Sequence, residues 1–200
     1  MLSRPGASED VKGPESLPTF GSDNNVVRNN TVLMDVPDRF ALSAVNGCYG
    51  NRMRNNLVVN ARGDSIHVTS ASLWRHDSGY NVANAVTYAT HYSFGMGLEV
   101  EPQPMPEAMK SLAVHLDETY HSMTGVTAEK VAAEFVRYGQ EPWVIFEDNW
   151  WRLNPARPDF HPKAASKLLC GWGDAGDLPA LDASGERRRA ADIGAFRAAE

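Results

Sequence analysis

The sequence has 200 residues, of which 42% are hydrophobic and 22% are charged. These values are ordinary for a globular protein and leave room for one domain with a core, but hardly for two. The formal net charge of −6 argues against a dedicated duplex-DNA-binding protein, because such proteins carry a concentrated positive surface. The presence of only two cysteines, Cys48 and Cys170, argues against a disulfide-rich secreted scaffold, and the absence of a Cys-x-x-Cys pattern argues against a zinc site.

The chain shows no targeting or membrane pattern. No apolar run follows Arg4, as it would in a signal peptide. No stretch approaches the roughly 20 apolar residues that a helix needs to cross a bilayer. We therefore expect no membrane partner, and we expect the protein to lie in the cytoplasm or within a particle assembled there.

Both ends of the chain are poor in large apolar side chains. Residues 1–30 are rich in Ser, Gly, Pro, Asp and Asn, and residues 174–186 have a similar composition. Such segments bury too little surface to offset the entropy lost on ordering. The composition therefore predicts an N-terminal arm (1–30), a single α+β domain (31–172), and a C-terminal arm (173–200) with a short basic helix.

The first half of the predicted domain has the pattern of β-strands. Residues 31–36 end at a proline, and segments 57–59 and 66–68 flank a bend with Gly and Asp that is typical of a β-hairpin. Residues 82–94 alternate between large and small side chains, which favours a strand, with a helix as the alternative. No internal repeat is evident. We therefore expect a mainly antiparallel sheet in this half.

Helix signals dominate the second half. Residues 107–122 carry large apolar side chains at spacings of three and four, as an amphipathic helix does. Thr127 can cap a second helix, and Pro162 can begin a third, shorter one. Segments 143–146 and 150–153 flank a turn and predict a β-hairpin. The whole chain is therefore predicted to have an α+β fold, with two to three helices and a hairpin in its second half.

One pattern on the first predicted helix suggests a metal site. His115, Glu118 and His121 are spaced three residues apart, so they span about 120° of a helix surface. Two imidazoles and a carboxylate suit zinc or iron, and Glu-x-x-His is the spacing of carboxylate-bridged metal bundles. The alternative, which we favour, is that these residues form the solvent-exposed face of the helix. We expect no cofactor.

Arginine and tryptophan form a second candidate site. Arg52 and Arg54 lie in an asparagine-rich stretch, a composition that can bind phosphates or base edges and can equally satisfy loop backbone. Trp150, Trp151 and Arg152 resemble a stacking platform for a base or a sugar. Since consecutive strand residues face opposite sides, we expect one of the two tryptophans to be buried. Binding of nucleic acid is thus an alternative, not the favoured function.

The sequence favours a protein without catalytic activity. A Gly-x-Ser-x-Gly motif and a phosphate-binding glycine loop are both absent. We interpret the chain as a structural or assembly protein that acts through protein–protein contacts, such as a component of a virion or another multi-subunit particle. A small metal-dependent hydrolase and a single-stranded nucleic-acid-binding protein are the alternatives. The arms would bind copies of the chain or other subunits through Phe20, Arg187, Arg188, Arg189 and Phe196.

Overall fold

The first half of the chain forms parallel sheets. The computed structural model describes residues 2–3, 22–37, 39–45, 47–89, 104–139, 141–142 and 144–199. Its first ten strands are β1 (Leu2–Ser3), β2 (Val26–Arg28), β3 (Thr31–Met34), β4 (Leu42–Val45), β5 (Arg52–Arg54), β6 (Leu57–Asn60), β7 (Ile66–Thr69), β8 (Asp77–Gly79), β9 (Val82–Ala83) and β10 (Val86–Ala89). They pair in parallel in three sheets, ordered β1-β4-β7-β10, β2-β5-β8 and β3-β6-β9.

The chain passes through the three sheets in turn and then repeats the path. Strands β2, β3 and β4 form the first coil, β5, β6 and β7 the second, and β8, β9 and β10 the third. Val26 pairs with Arg52, and Arg52 pairs with Asp77, so the strands of this sheet lie beside their equivalents 26 and 25 residues away. Successive coils that stack strand upon strand are the architecture of a parallel β-solenoid.

A left-handed backbone position marks one corner of every coil. Asn29, Asn55 and Tyr80 each lie between the first and second strand of their coil, with φ of 52°, 55° and 54°. Asparagine adopts this conformation more readily than most residues, because its short side chain is compatible with local hydrogen bonds. Asparagine therefore allows the sharp bend from one sheet to the next in the first two coils, and Tyr80 takes this position in the third.

A partial fourth coil covers the end of the third. His115 forms a parallel bridge with Asp77, and Met123 forms one with Val82. Between these bridges His121 has φ of 55°, as the corner residues of the other coils do. Residues 115–123 therefore continue two of the sheets by backbone pairing.

The core has two parts on opposite sides of β6. Val58 packs inside the solenoid with Ile66 and Val68. Leu57 and Val59 point the other way and pack against residues of the second half. Because successive side chains of a strand face opposite sides, β6 contributes to both clusters. The outer cluster consists of Leu57, Val59, Val82, Val126, Val131, Phe135, Leu168, Leu169 and Ile193.

The second half has short elements. The helices are α1 (Glu107–Lys110) and α2 (Ala128–Glu134), and the strands are β11 (Phe135–Arg137), β12 (Val144–Glu147), β13 (Trp150–Leu153) and β14 (Asp159–Pro162). β11 pairs with β14, and β12 pairs with β13, both in the antiparallel sense. Short 3₁₀ turns occur at Ser70–Ser72 and Ala175–Asp177. No helix in the described part of the chain has the length and apolar character that crossing a membrane requires.

The predicted α+β fold with a mainly antiparallel first half is wrong. Segments 57–59 and 66–68 are strands, as predicted, but they do not form a hairpin with each other. β6 and β7 belong to different sheets, and each pairs with its equivalents in the neighbouring coils. The expectation of no internal repeat was also wrong, because Asn30, Asn56 and Asn81 recur at coil spacing. Alternating apolar residues identify a strand but carry no information on its partner.

The predicted helix over residues 107–122 is also wrong beyond its first turn. Only Glu107–Lys110 is helical, and residues from 111 onward form turns. The backbone there bonds to the third coil instead, for example from the Val114 N–H to the His76 carbonyl at 2.7 Å. Residues 163–169 have turns where a third helix was predicted. The strand favoured for segment 82–94 is confirmed at Val82–Ala83 and Val86–Ala89, and residues 90–94 lie outside the described ranges.

Candidate functional site

His115 belongs to a cluster of charged side chains at the edge of the third coil. Its Nδ1 lies 2.8 Å from Asp77 Oδ1 and 3.0 Å from Arg54 Nη2. Arg54 also donates to Asp77 and is almost fully buried, with a side chain only 2% exposed. The ring of His115 is 35% exposed, so one side of it faces solvent. Arg54 therefore stabilises a buried ion pair, and Asp77 fixes the orientation of the imidazole.

Aromatic rings enclose the Arg54 guanidinium. Its central carbon lies 4.7 Å from the Tyr120 ring centroid and 5.8 Å from that of Tyr80. The His115 ring stacks on the Tyr120 ring, with 3.6 Å between the two ring centroids. Gly79 makes this arrangement possible, because a Cβ there would lie 2.6 Å from Tyr120 Cδ1. The rings offset part of the cost of burying the charge through cation–π attraction.

The two other candidate metal ligands have separate partners. Glu118 Oε2 accepts a hydrogen bond from Lys110 Nζ at 2.7 Å. His121 stacks on Tyr80, with ring centroids 4.8 Å apart. Across the described ranges, no group of three or more His, Cys, Asp or Glu side chains has the arrangement of a metal site. His115, Glu118 and His121 are thus not brought together around one point.

Arg52 connects the solenoid to the C-terminal segment. Its Nε lies 2.9 Å from Asp177 Oδ2 and 3.2 Å from Asp77 Oδ2. Arg28 Nη1 donates to the Asp177 carbonyl oxygen at 3.2 Å. Asp177 is buried. The arginines that the sequence suggested for phosphate binding, Arg52 and Arg54, therefore contribute to ion pairs within the chain.

The C-terminal segment packs on the asparagine corner of the solenoid. The Gly194 N–H donates to the Asn55 carbonyl at 2.8 Å, and Asn29 Nδ2 donates to the Asp192 carbonyl at 3.0 Å. Ile193, between them, is 1% exposed and belongs to the outer core cluster. This segment therefore covers the corner that the left-handed asparagines form.

The candidate assembly residues have different surroundings. Arg188 is buried, and its Nη2 donates to the carbonyls of residues 194 and 195 at 2.7 and 2.8 Å. Arg187 and Arg189 are exposed. The Phe196 ring is partly buried and lies 5.0 Å from the His161 ring, centroid to centroid. Phe20 lies outside the described residues.

Burial disfavours the thiolate form of both cysteines. Cys48 and Cys170 are both free, and Cys48 is buried. Burial raises the pKa of the Cys48 thiol. Burial, with a further contribution from the charge of Asp192, raises the pKa of Cys170 to about 11. Both side chains are therefore protonated thiols at neutral pH, and the thiolate is the form that attacks substrates.

The hairpin of β12 and β13 presents an uncovered apolar face. Val144 pairs with Leu153, and Phe146 pairs with Trp151. Since alternate residues of a strand share a side, these four side chains lie on one face of the hairpin. Their exposed fractions are 45%, 62%, 58% and 71%, in the order named. A contiguous apolar surface of this kind is typical of a binding site.

The other side of the hairpin carries the second tryptophan. Trp150 is 73% exposed, so the expectation that one of the two tryptophans is buried was wrong. Trp150 and Trp151 face opposite sides and do not share a stacking surface. Arg152 is also exposed and forms an ion pair with Asp148 at 3.1 Å. Trp150, Trp151 and Arg152 all lie in the predicted strand β13, with Trp151 on one side of the hairpin and Trp150 and Arg152 on the other.

A tight turn connects the two strands. Asp148 and Asn149 have φ of 51° and 63°. Positive φ at both central residues is the geometry of a type I′ turn, whose twist matches that of the flanking strands. Asn154 Nδ2 donates to the Pro142 carbonyl at 2.8 Å and closes the base of the hairpin. The hairpin is thus a defined element.

Comparison of the chain with protein-family models, with curated proteins and with solved structures gives no match. Any inference about the function of this chain therefore rests on the geometry of its structure. Arg54 Nη2 bonds to Asp77 and His115, while Arg54 Nε and Nη1 are buried without a hydrogen-bond partner.

The apolar face of the hairpin is largely open to solvent. Phe146 and Leu153, which the sequence analysis did not select, complete this face. Their alternation with Val144 and Trp151 was visible, but exposure depends on what packs above a strand.

Proposed function

We propose that this chain is a non-enzymatic structural protein that acts through protein–protein contacts, as a subunit of a virion or another multi-subunit particle. The observation that carries this proposal is the exposed apolar face formed by Val144, Phe146, Trp151 and Leu153. Aromatic side chains are enriched at protein interfaces and among the residues that dominate binding energy. An isolated two-stranded hairpin is only marginally stable in water, so a partner on this face would stabilise it.

The size of the apolar hairpin face determines how much binding free energy its burial can contribute. Full burial of a large apolar side chain that was fully exposed contributes about 1.5–3 kcal/mol, and because these four are only partly exposed their burial contributes about 3.5–7 kcal/mol. Association itself costs about 4–15 kcal/mol in lost translational and rotational freedom. One hairpin contact therefore balances only the lower end of that cost. A stable assembly needs several such contacts for each subunit, as in a symmetric particle.

The rest of the described structure suits a scaffold role. Each stacked parallel coil contacts its neighbours, and its stability comes from those contacts. The polar residues that resemble catalytic groups, Asp77 and His115, are held in ion pairs and ring stacks within the chain. These contacts join the partial fourth coil to the third and support an architectural function.

Native fractionation in the cells that produce the protein tests this function. We expect the full-length chain to elute well above 21.9 kDa, and the double variant Phe146→Ser/Trp151→Ser to shift toward the monomer position. Leu181→Ser is the matched control, since Leu181 is an apolar residue elsewhere on the surface with 54% exposure. Elution of the natural chain as a monomer in its own lysate would reject the proposed function.

A further inference from the structure

A cavity lies between the β11–β14 strand pair and the C-terminal segment. Its volume is about 310 Å³, and its lining includes Arg137 of β11, Asp159 and His161 of β14, and Phe196 of the C-terminal segment. This volume is at the lower end of the range for small-molecule sites. The four side chains of the apolar hairpin face do not line it. The cavity is therefore a candidate site of its own, separate from that face.

Two arginines that line the cavity form no ion pair with any carboxylate of the described residues. Arg137 Nη1 donates to the Pro155 carbonyl at 3.0 Å, and Arg157 Nη1 donates to the Asn154 carbonyl at 3.2 Å. A guanidinium has several further N–H donors in the same plane. Each arginine is thus oriented by one backbone bond and keeps donors for a ligand.

The charges that line the cavity are positive in sum. Arg137 and Arg157 contribute two positive charges, and Asp159 is the one carboxylate among the described lining residues. With a neutral His161 the sum is therefore +1, whereas the whole chain has a net charge of −6. Asp159 Oδ1 lies 2.6 Å from His161 Nδ1 and also accepts a hydrogen bond from the His161 backbone N–H at 3.1 Å. The cavity thus attracts anions within an acidic protein, and its carboxylate is already engaged.

Hydrogen bonds hold the walls of the cavity in place. On one side β11 and β14 pair in the antiparallel sense. On the other side Asp182 Oδ1 accepts hydrogen bonds from the Ser184 backbone N–H at 2.9 Å and from Ser184 Oγ at 2.6 Å. Asp182 Oδ2 accepts one from the Arg197 backbone N–H at 3.0 Å. Because these contacts exist without a ligand, little ordering has to occur on binding, and more of the contact energy is retained as affinity.

We propose that this cavity binds a phosphomonoester that carries a planar ring. Arg137 and Arg157 bind the phosphate, because guanidinium groups match phosphate oxygens in a bidentate geometry. A phosphate carries a charge of about −1.5 to −2 at neutral pH, more than a carboxylate, and so suits two arginines. The ring of the ligand packs on Phe196, whose own ring is partly buried and lies 5.0 Å from the His161 ring, centroid to centroid. This site does not depend on the proposed assembly function.

Isothermal titration calorimetry of the purified full chain with phenyl phosphate tests the proposal. At about 0.15 M salt, which screens the attraction between exposed charges, we expect saturable binding with one molecule per chain. Benzoate and phenol are the matched probes, since they replace the phosphate by a carboxylate and by an uncharged hydroxyl. We expect benzoate to bind at least about tenfold more weakly, and phenol not to bind measurably. Absence of saturable binding by phenyl phosphate, or equally tight binding of benzoate, would reject the proposal.

Arginine variants test the phosphate contacts. We expect Arg137→Gln and Arg157→Gln each to weaken the Kd for phenyl phosphate by at least about tenfold. Arg187→Gln is the control, because Arg187 is exposed and does not line the cavity. Arg137→Lys and Arg157→Lys keep the charge but lose the planar fork, so they should restore only part of the affinity. Arg137 is exposed, so circular dichroism should show its variants folded. An unchanged Kd in the folded Arg137→Gln variant, or an equal loss in Arg187→Gln, would contradict the assignment.

The Phe196 contact has a separate test. Inorganic phosphate lacks the ring, so we expect it to bind the natural chain more weakly than phenyl phosphate does. In Phe196→Leu the affinity for phenyl phosphate should fall while that for inorganic phosphate stays the same. Equal binding of the two probes to the natural chain would show that no ring packs on Phe196, and would reject the proposed ligand. A chain that assembles in its own lysate but binds no phenyl phosphate would reject this inference and leave the proposed function intact.

Discussion

Asn56 and Asn81 occupy the same position in consecutive coils, and Asn81 Oδ1 accepts hydrogen bonds from both the Asn56 backbone N–H (2.9 Å) and Asn56 Nδ2 (3.0 Å). Asn30 bonds to Asn56 Oδ1 in the same way, at 3.1 and 3.0 Å. Asn81 Nδ2 then donates to Asp117 Oδ1 at 2.7 Å. The three asparagines thus form a ladder that ends on a buried carboxylate. It satisfies backbone groups at a corner where the strands cannot do so.

Replacing the middle residue of the ladder should destabilise the protein strongly. Asn56→Ala removes the acceptor of the Asn30 N–H and the donor to the Val27 carbonyl. Each buried polar group left without a partner costs about 1–3 kcal/mol, so we expect a loss of that order in the free energy of unfolding, measured in urea. Asn30→Ala is the control, because Asn30 is exposed at the end of the ladder. Equal losses for the two variants would contradict this prediction.

Gly79 should not tolerate even a methyl group. A Cβ at this position would lie 2.6 Å from both Tyr120 Cδ1 and the Tyr120 carbonyl oxygen, and 2.9 Å from Arg54 Nη1. Overpacking of this kind costs about 1–3 kcal/mol, so Gly79→Ala should lower the melting temperature by several degrees. Gly139→Ala is the control, since a Cβ there meets no atom of the described structure within 4 Å. An unchanged melting temperature in Gly79→Ala would show that Tyr120 does not pack against this glycine.

The C-terminal segment should contribute to the fold. Ile193 is 1% exposed among Leu57, Leu169 and other residues of the outer cluster. Truncation of a buried Ile to Ala costs about 2–5 kcal/mol, and chemical denaturation of Ile193→Ala should show a loss in this range. Leu181→Ala, at a residue with 54% exposure, should change the stability by less than about 0.5 kcal/mol. A similarly small effect for Ile193 would indicate a detached arm, as the composition alone predicts.

Stability should fall as the pH drops below neutrality. Burial lowers the pKa of His76 from 6.5 to about 4, against the opposing charges of Asp117 and Asp77 and with a smaller lowering contribution from Arg54. Burial likewise lowers the pKa of His67 to about 4. Between pH 6.5 and 4 the unfolded chain binds more protons than the folded chain, so the free energy of unfolding decreases as the pH falls through this window.

Two histidine variants test that assignment. A pKa shift of this size lowers the free energy of unfolding by about 3 kcal/mol for each buried histidine once the pH is below both the folded and the unfolded pKa. In His76→Gln the difference in stability between pH 7 and pH 4.5 should shrink by an amount approaching that value. His121→Asn is the control, because His121 is exposed and asparagine accepts its positive φ. A pH dependence that is the same in His76→Gln and in the natural chain would show that His76 does not remain neutral when folded.

Local signals in the sequence predicted several elements correctly. β-Branched and apolar residues located β3 within its predicted segment and β6 and β7 to within one residue of theirs. Thr127 caps α2 as expected, accepting a hydrogen bond from the Lys130 N–H. The hairpin of β12 and β13 also lies in its predicted segment. These features depend on residues that are close along the chain, so local propensity and turn chemistry determine them.

Tertiary structure alone decided how the elements pair. Asn30, Asn56 and Asn81 look like loop residues one at a time, and their hydrogen bonds exist only once the coils stack. Residues 111–122 have a helical pattern, yet their backbone pairs with the open edge of the third coil. An edge that already presents N–H and C=O groups outweighs helix propensity of a few tenths of a kcal/mol per residue.

The apolar face of the hairpin also depends partly on local sequence and partly on tertiary structure. The sequence by itself predicted the two strands as segments 143–146 and 150–153, close to the observed Val144–Glu147 and Trp150–Leu153, and that their side chains alternate. Only the tertiary structure decided that the face with Phe146 and Trp151 remains uncovered while Ile193, in a segment of low hydrophobicity, is buried. Burial depends on which distant segments pack above a residue, and that is a property of the whole chain, since hydrophobic association has no preference for neighbours in sequence.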